Sequence, residues 1–538
     1  MMTIPIRPVA HPVDQHPDLL RDESQLAGTA EHLFLPRNSG EITAILRALA
    51  RRGETVTVQG ARTGIAGGAV PRGGAILNLA GLDRVLGLRF DAGGSPLLRV
   101  QPGLLLSTLR RWLQNPAPPP GVPDDTWQAF RRRRWRFTPD PTEQTASLGG
   151  MIACNASGAC SFLHGPTRRW VESLRILLPD GRSLRLSRTG GPFADGHSFA
   201  LEPRDDDGTP PPSPALTGIL PAIALPAVKH AAGYWIAANM PLLDLFIGGE
   251  GTLGIVVEAE IRLLPEPAHR WGLLLMPPSE DAALELVATV RAAAGPSRTG
   301  LGAPLAAIEY FDAAALALLR RGAAGQASGL AYPVPPDGAC CALYVELEGD
   351  DAADLTAAAA ILARHAAAGG IRDEWTWAAS GAADLERLKA FRHAVPEAVN
   401  QIIAERRRAL PGLTKVGTDF AVPDGRLHEV MRLYRDGLAR TRLDGVIFGH
   451  IGDNHVHVNI LPRDAAELTR AKQLVGEWAV QCVAWGGTVS AEHGVGKLKT
   501  HLLTTLYGEA GVRDLRRLKA CFDPGNRLNP GTLFAPPA

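Results

Sequence analysis

Pro139-Asp140-Pro141-Thr142-Glu143-Gln144-Thr145-Ala146-Ser147-Leu148-Gly149-Gly150-Met151-Ile152-Ala153-Cys154-Asn155-Ala156-Ser157-Gly158 crowds hydroxyls, glycines and an amide into one loop-rich stretch. That mixture suits hydrogen bonding to a large polar ligand. Upstream, Gly60-Ala-Arg62-Thr63-Gly64-Ile-Ala-Gly67-Gly68 follows directly on the strand pattern ETVTV. Glycines there let the backbone take positive φ, and successive N–H groups can form a nest for an anion. It is neither a dinucleotide GxGxxG fingerprint nor a Walker loop. Taken alone it is no more than a tight turn would need. Downstream come His164-Gly165-Pro166-Thr167-Arg168, the strand-turn-strand VESLRILLPDGRSLRL, and a third segment, Gly248-Gly249-Glu250-Gly251-Thr252-Leu253-Gly254-Ile255. The strand VVEAEIRLL then closes this part of the chain.

Further out, the texture changes. After Pro267, alanine-rich helical stretches (EDAALELVATVRAAA, DAADLTAAAAILARHAAAGG) alternate with strands (CCALYVELEG, GVIFGH), which predicts a layer of sheet and helices. The stretch 115–136, proline-rich and then arginine-rich, reads as an inserted surface loop, and 190–214 as a second polar insertion. At 538 residues two or more domains are expected. A hydrophobic content of 45%, a charged content of 21% and a net charge of +1 describe a globular protein and argue against a nucleic-acid binder. Arg131 to Arg136 reads as a solvated loop rather than a partner surface. The six cysteines show no CxxC spacing, so neither an iron–sulfur cluster nor a structural zinc site is expected. The N-terminal stretch lacks a signal-peptide core and no run is apolar enough to span a membrane. The cytoplasm is the expected location, with peripheral attachment to a membrane left open.

The sharpest chemistry lies in Gly445-Val-Ile-Phe-Gly-His450-Ile-Gly-Asp453-Asn454-His455-Val-His457-Val-Asn459-Ile460. Alternation in HVHVNI puts His455, His457 and Asn459 on one face of a strand, with Val456, Val458 and Ile460 toward a core. His450 is brought to them by the turn Gly452-Asp453-Asn454. Packing does not easily explain three histidines on an otherwise apolar strand. Imidazole suits zinc, manganese or iron, and a further ligand is then needed. Thr488-Val-Ser490-Ala-Glu492-His493-Gly494-Val-Gly496-Lys497 supplies a candidate: Glu492 and His493 are adjacent, so their side chains are expected to diverge, one to the metal and one to a substrate.

The three glycine-rich segments, in this order, resemble the FAD-binding domain of the vanillyl-alcohol oxidase / p-cresol methylhydroxylase superfamily. GHIGDNHVHVN and SAEHGVG resemble the metal-binding signature of its D-2-hydroxyacid dehydrogenase branch, which holds FAD-linked D-lactate, D-2-hydroxyglutarate and glycolate dehydrogenases. The resemblance runs from about residue 33 to the end, apart from the two insertions. It implies an α+β fold: a two-subdomain FAD-binding domain over 1–267, a sheet-and-helix cap over 268–488 that binds substrate, and a helical segment over 489–538 that returns to the FAD domain. It further implies that Gly60, Arg62, Thr63, Gly64, Gly67 and Gly68 hold the FAD pyrophosphate. Pro139, Asp140, Thr145, Ser147, Gly149, Gly150, Asn155, Gly158, Gly165, Glu250, Gly251, Gly254, Ile255 and Asn529 complete the cofactor site. Some relatives attach FAD through a histidine in or near the first loop. QGARTGIAGG has none, so non-covalent binding is implied, and His164 is read as packing.

By the same resemblance His450, His457 and Glu492 are the metal ligands, with zinc or manganese expected, and His493 is the catalytic base. Arg392, in LKAFRHAVPEAVN, matches the substrate-binding arginine. His455 stands where many relatives have asparagine, and with Asn459 it is expected to face the substrate. Relatives that take dicarboxylates carry a lysine just before the aspartate of the following strand. Here Lys415 is displaced from Asp419, which argues against a simple transfer of 2-hydroxyglutarate specificity. The implied reaction is oxidation of a small 2-hydroxy acid, with the metal as Lewis acid, the histidine as base and the flavin as hydride acceptor. The electron acceptor stays open among a quinone, an electron-transfer flavoprotein, a cytochrome and oxygen, as does assembly into a homodimer. Two rival readings stand beside it: a flavin-free metallohydrolase using the same triad, and a non-catalytic flavoprotein subunit that relays electrons.

Overall fold

The computed structural model describes residues 9–188, 197–205, 215–325 and 332–535. The first half is built on two sheets. A parallel sheet sets the strand Ala75–Asn78 between His32–Phe34 and Val56–Gln59. An antiparallel sheet runs Val85–Phe90, Pro96–Val100, Ile255–Arg262, Val171–Leu177, Ser183–Ser187. The expected strand in VVEAEIRLL is its centre, and its buried and half-buried residues alternate as a period of two demands. The helix Ser39–Arg52, begun by Asn38 and ended by Gly53 at φ +66°, turns Ile42, Ile45, Leu46 and Leu49 onto the parallel sheet.

The outer edge of the strand Val56–Gln59 is closed from far along the chain. Val56 N–H donates to the Arg527 carbonyl (2.8 Å), Asn529 N–H to the Val56 carbonyl (2.8 Å), and Val58 N–H to Asn529 Oδ1 (2.7 Å). Residues 527–529 thus act as a short surrogate strand after the helix Thr500–Phe522, which is kinked at Gly508.

The second half carries one antiparallel sheet of seven strands, ordered Thr376–Ala379, His269–Leu275, Cys341–Gly349, Leu305–Asp312, Gly445–Gly449, His457–Ile460, Val416–Gly417. Its two faces differ. Leu343, Val345, Leu347 and Ile308 pack with residues of the helices Glu280–Ala294 and Ala352–Ala368. The other face carries Tyr344, Glu346 and Glu348 toward the first half. The long helix Ala382–Ala409 lays Leu388 and Phe391 against Leu274, Phe311 and Tyr344 on that face.

Two expectations change here. The stretch 115–136 is not a surface loop: it forms the helix Asp124–Arg131, and Trp127, Phe130 and Trp135 stack into the core with ring centroids 5.7 and 6.0 Å apart. Proline-rich flanks masked an amphipathic turn with two aromatics three residues apart. Only Arg131 to Arg134 of the basic run are exposed. His164 does more than pack. Its Nε2 lies 2.9 Å from Glu348 Oε1, and Arg136 forks onto both oxygens of the same carboxylate at 2.5 and 2.7 Å. Of the polar insertion at 190–214, only 197–205 lies within the described residues, and there Ser198–Leu201 pairs with Leu216–Ile219.

Burial opposes ionisation of Glu348, but the hydrogen bonds from His164 and Arg136 hold its carboxyl down to about 2. A depressed carboxyl stabilises the fold above its unfolded value, near 4.5, and loses that contribution as pH falls toward 2. The displacement is worth about 3 kcal/mol. Glu348→Gln should therefore lower the melting temperature at pH 7, and the gap to the parent should close as melts are repeated from pH 4.5 downward. A gap that did not change with pH would remove the ion pair as its cause.

Candidate active site at the sheet edge

Each predicted histidine reaches the site by a different local device. The strand Gly445–Gly449 ends at His450, a single turn follows with Asn454 at φ +50°, and the chain re-enters the sheet at His457. The turn brings the His450 and His457 rings within 5.6 Å. Both rings are tied at Nδ1: His450 to Glu309 Oε1 (2.7 Å) and His457 to the Thr418 carbonyl (3.2 Å). Such partners fix ring orientation and leave the opposite nitrogen for a ligand. The two Nε2 atoms lie 3.2 and 3.1 Å from the same oxygen, Glu492 Oε1. Two nitrogens converging on one carboxylate oxygen make a donor set that fits a cation. Burial works against charge on His450, yet Glu309 and Glu492 push it up to about 10, so a proton balances the acidic pair.

His455 is completely buried, with Nε2 3.1 Å from Asp419 Oδ1 and an unpaired Nδ1 3.9 Å from Glu492 Oε2. It sits just before the strand His457–Ile460 and turns into the acidic cluster, close enough to His450, His457 and Glu492 that the four could hold a metal ion together. Asn459 is buried in the last strand pair, beside Gly417. The expected divergence of Glu492 and His493 is not found. His493 stacks on His457 (5.1 Å, 21°) and its Nε2 comes within 3.4 Å of Glu492 Oε1. The cause is Asp419, which accepts the His493 N–H (3.0 Å) and draws the ring back to 3.5 Å. With a side chain 28% exposed, His493 is nevertheless the most open of the four histidines. Burial pushes it down to about 4, the neutral form that can accept a proton.

Sequence reasoning missed four members of the cluster. Lys229 donates to Glu492 Oε2 at 2.8 Å, and Ser157 to the same oxygen at 3.0 Å. Glu309 joins His450 to Arg392, whose Nε stands 3.6 Å from Glu309 Oε2. Asp419, 2% exposed, gathers Ser490 Oγ (2.5 Å), Lys499 Nζ (2.9 Å) and the N–H groups of Glu492 and His493. In the sequence Lys229 and Glu309 show only as a charge inside an apolar run, LPAVKHAAGYW and LAAIEYFD, and Asp419, in VGTDFAV, only as the strand aspartate that follows Lys415.

The glycine-rich segments meet beside this cluster. Ala61 N–H donates to Ser147 Oγ, and a Cβ on Gly60 would sit 2.2 Å from that oxygen, so the first two segments touch where only glycine fits. Gly158 is pressed on the Asp140 carbonyl in the same way, at 2.0 Å. Glu250 links the third segment to the histidine-bearing one, its carboxylate accepting N–H from Val495 (2.7 Å) and Gly496 (2.8 Å), while Asn529 caps its carbonyl (2.7 Å). Other predicted polar side chains are tied within the protein: Arg62 to Asp18, Thr145 to Glu143, Asn155 to the Arg168 N–H. What stays free is backbone. Among the described residues the N–H groups of Thr63, Gly64 and Ile65 have no acceptor, next to Arg62 at φ +61°. That tip fits an anion such as a pyrophosphate.

Comparisons with known proteins point to one family. Residues 273–533 match the model of FAD linked oxidases, C-terminal domain, and residues 30–126 and 118–187 match the FAD binding domain. The chain belongs to the FAD-linked oxidase family. Curated relatives align over nearly its whole length. Glycolate oxidase subunit GlcD of Bacillus subtilis is 27% identical over 95% of this chain and 90% of its own. D-2-hydroxyglutarate dehydrogenase of Xanthomonas citri pv. viticola is 29% identical over 93% and 89%, and a probable mitochondrial D-lactate dehydrogenase of Danio rerio 27% identical over 96% and 86%. A solved alkyldihydroxyacetonephosphate synthase shares the fold, with a TM-score of 0.58 at 14% identity over 94% of this chain and 77% of that one. The family sets aside both a flavin-free hydrolase and a non-catalytic relay. No helix among the described residues is long and apolar enough to cross a membrane.

In this family member, Asp419 is held well below the usual carboxylate range; burial opposes this, and the Lys499 ammonium, the His455 ring and the His493 backbone N–H overcome it. Removing one partner from a buried charge cluster costs about 3–5 kcal/mol. Asp419→Asn should lower stability on that scale and speed hydrogen exchange in 488–497 more than in the strand Ile255–Arg262. Equal acceleration in both would make the residue a general packing element.

Proposed function

We propose that the chain oxidises a small D-configured 2-hydroxy acid, of the lactate, glycolate or 2-hydroxyglutarate kind, to the 2-oxo acid. It uses non-covalently held FAD and a divalent metal, zinc or manganese, bound by His450, His457 and Glu492. The observation that carries this reading is the convergence of two Nδ1-anchored imidazoles on one oxygen of Glu492, beside glycine-rich segments of which the first two lie within the match to an FAD binding domain. The names of the relatives, a glycolate oxidase subunit and dehydrogenases of D-lactate and D-2-hydroxyglutarate, support the substrate class.

When bound, the metal supplies Lewis acidity at the substrate oxygens and FAD accepts two electrons. The protein does the rest. Lys229 and Ser157 pin Glu492 Oε2, so that Oε1 alone faces the two histidines. Among the described residues Arg392 makes one ion pair, with Glu309, and stands over the Tyr344 ring, which leaves N–H groups to fork onto the substrate carboxylate. His493, neutral and accessible, takes the hydroxyl proton. No histidine stands in the loop Gly60–Gly68 to attach the flavin covalently.

Acid or heat should release the flavin from the purified protein; flavin that stays with denatured chain would end the non-covalent part. His457→Ala and Glu492→Ala should lower metal content, measured by mass spectrometry, while FAD stays bound, and full metal occupancy in either would take that residue out of the site. His493→Ala should slow anaerobic reduction of the flavin by the best 2-hydroxy acid by about 10²- to 10⁴-fold, with metal and FAD retained. An unchanged rate would rule His493 out as the base.

A further inference from the structure

The polar face of the seven-stranded sheet carries three buried carboxylates in a row. Glu309 is in register with Tyr344, and residues 344, 346 and 348 alternate onto that same face. Two of the three are saturated. Glu348 is held by Arg136 and His164, and Glu309 by His450 and Arg392. Glu346, lying between them and 4% exposed, is not. Its Oε2 accepts one hydrogen bond, from the Tyr344 hydroxyl at 2.7 Å. Its Oε1 meets only the Cys160 thiol, at 4.0 Å, and among the described residues no cation pairs with it. Burial drives the Cys160 thiol up, so it offers at most a weak S–H donor.

Leaving a buried carboxylate this short of partners is costly, and native proteins seldom do so without a further group to complete it. The location says which group. Cys160 follows the segment 139–158 expected to line the flavin, and Tyr344 lies under Arg392, whose guanidinium carbon is 5.8 Å from its ring. The open oxygen faces Cys160, whose thiol also feels the charge of Arg392, the proposed carboxylate anchor. We infer that Glu346 reads the far end of the substrate: the preferred 2-hydroxy acid ends in a hydrogen-bond donor, a hydroxyl or an ammonium group, and a second carboxylate is turned away. This deepens, and rests on, the proposed oxidation of a 2-hydroxy acid.

Two further features agree. Lys415, the cation nearest in sequence to Asp419 on its N-terminal side, is bound to Asn400 (2.8 Å). A second carboxylate at the far end would meet Glu309 and Glu346 with Arg392 already committed. Length follows from the sheet. The strand Cys341–Gly349 lies two strand spacings from Gly445–Gly449, which delivers His450. That is on the order of 10 Å, so the donor belongs at the end of a side chain of about three or four atoms, given that spacing.

The test is a matched five-carbon series, 2-hydroxypentanoate, 2,5-dihydroxypentanoate, 5-amino-2-hydroxypentanoate and 2-hydroxyglutarate, assayed by flavin reduction. The parent enzyme should favour the two donor-ended acids over 2-hydroxypentanoate in kcat/KM by about 10- to 100-fold, the worth of a hydrogen bond to a charged group, with 2-hydroxyglutarate lowest. In Glu346→Leu that ratio should collapse toward one, and in the near-isosteric Glu346→Gln the ammonium acid should lose more than the hydroxyl acid. A flat series in the parent, or a ratio unchanged in Glu346→Leu, overturns the assignment while leaving 2-hydroxy-acid oxidation standing. Loss of flavin from Glu346→Gln with an unchanged ratio overturns it too, because Glu346 would then serve the cofactor. If no 2-hydroxy acid reduces the flavin, the parent reading falls and takes this one with it.

Discussion

One buried carboxylate, Asp419, sets the geometry on which the site depends. A charge in that position must be surrounded by donors or it would cost several kcal/mol in effective desolvation. The donors it collects come from Ser490, Lys499, His455 and the backbone of Glu492 and His493, so satisfying the charge requires the segment 488–499 to fold over the last strands of the sheet. That same fold delivers Glu492 to the two histidines and holds His493 against His457. The cluster of histidines around Glu492 is therefore a by-product of solvating one ion internally.

The charges beyond Asp419 obey the same rule. Glu492 faces Lys229, Glu309 faces Arg392 and His450, and Glu348 faces Arg136 and His164, each pair bridging separate parts of the chain. Lys229 precedes the third glycine segment, whereas Glu492 belongs to the C-terminal stretch. Buried pairs of this kind add little net stability compared with apolar packing. They do oppose misassembly, since docking the two halves in another register would strand several ions without partners.

Much of this was legible in the sequence, for reasons tied to local spacing. Alternation in VVEAEIRLL and apolar periodicity in EDAALELVATVRAAA announce a strand and a helix, because each depends only on neighbours a few residues away. The three histidines around 450–457 and the pair 492–493 were equally visible, being dense clusters of one chemistry. Lys229, Glu309 and Asp419 were not. Each is a single charge in an apolar run, and its meaning lies in a partner 36 to 263 residues away, as with Asp419 and His455 or Lys229 and Glu492. His493 was misplaced for a related reason: adjacent side chains diverge on a regular strand, but Gly494 at φ +72° and the pull of Asp419 bend this segment back.

The surrogate strand at 527–529 has a consequence in time. The edge of Val56–Gln59 that it covers leaves the ribosome well before its partner Asn529, which follows 471 residues later. At translation rates of about 5–20 residues per second, that edge waits on the order of half a minute to a minute and a half with open hydrogen-bonding groups. Unpaired edges recruit other strands. Newly made chains of this protein therefore carry an intermolecular pairing hazard that the finished molecule does not, and a chaperone that shields this edge until residues 527–529 arrive would remove it.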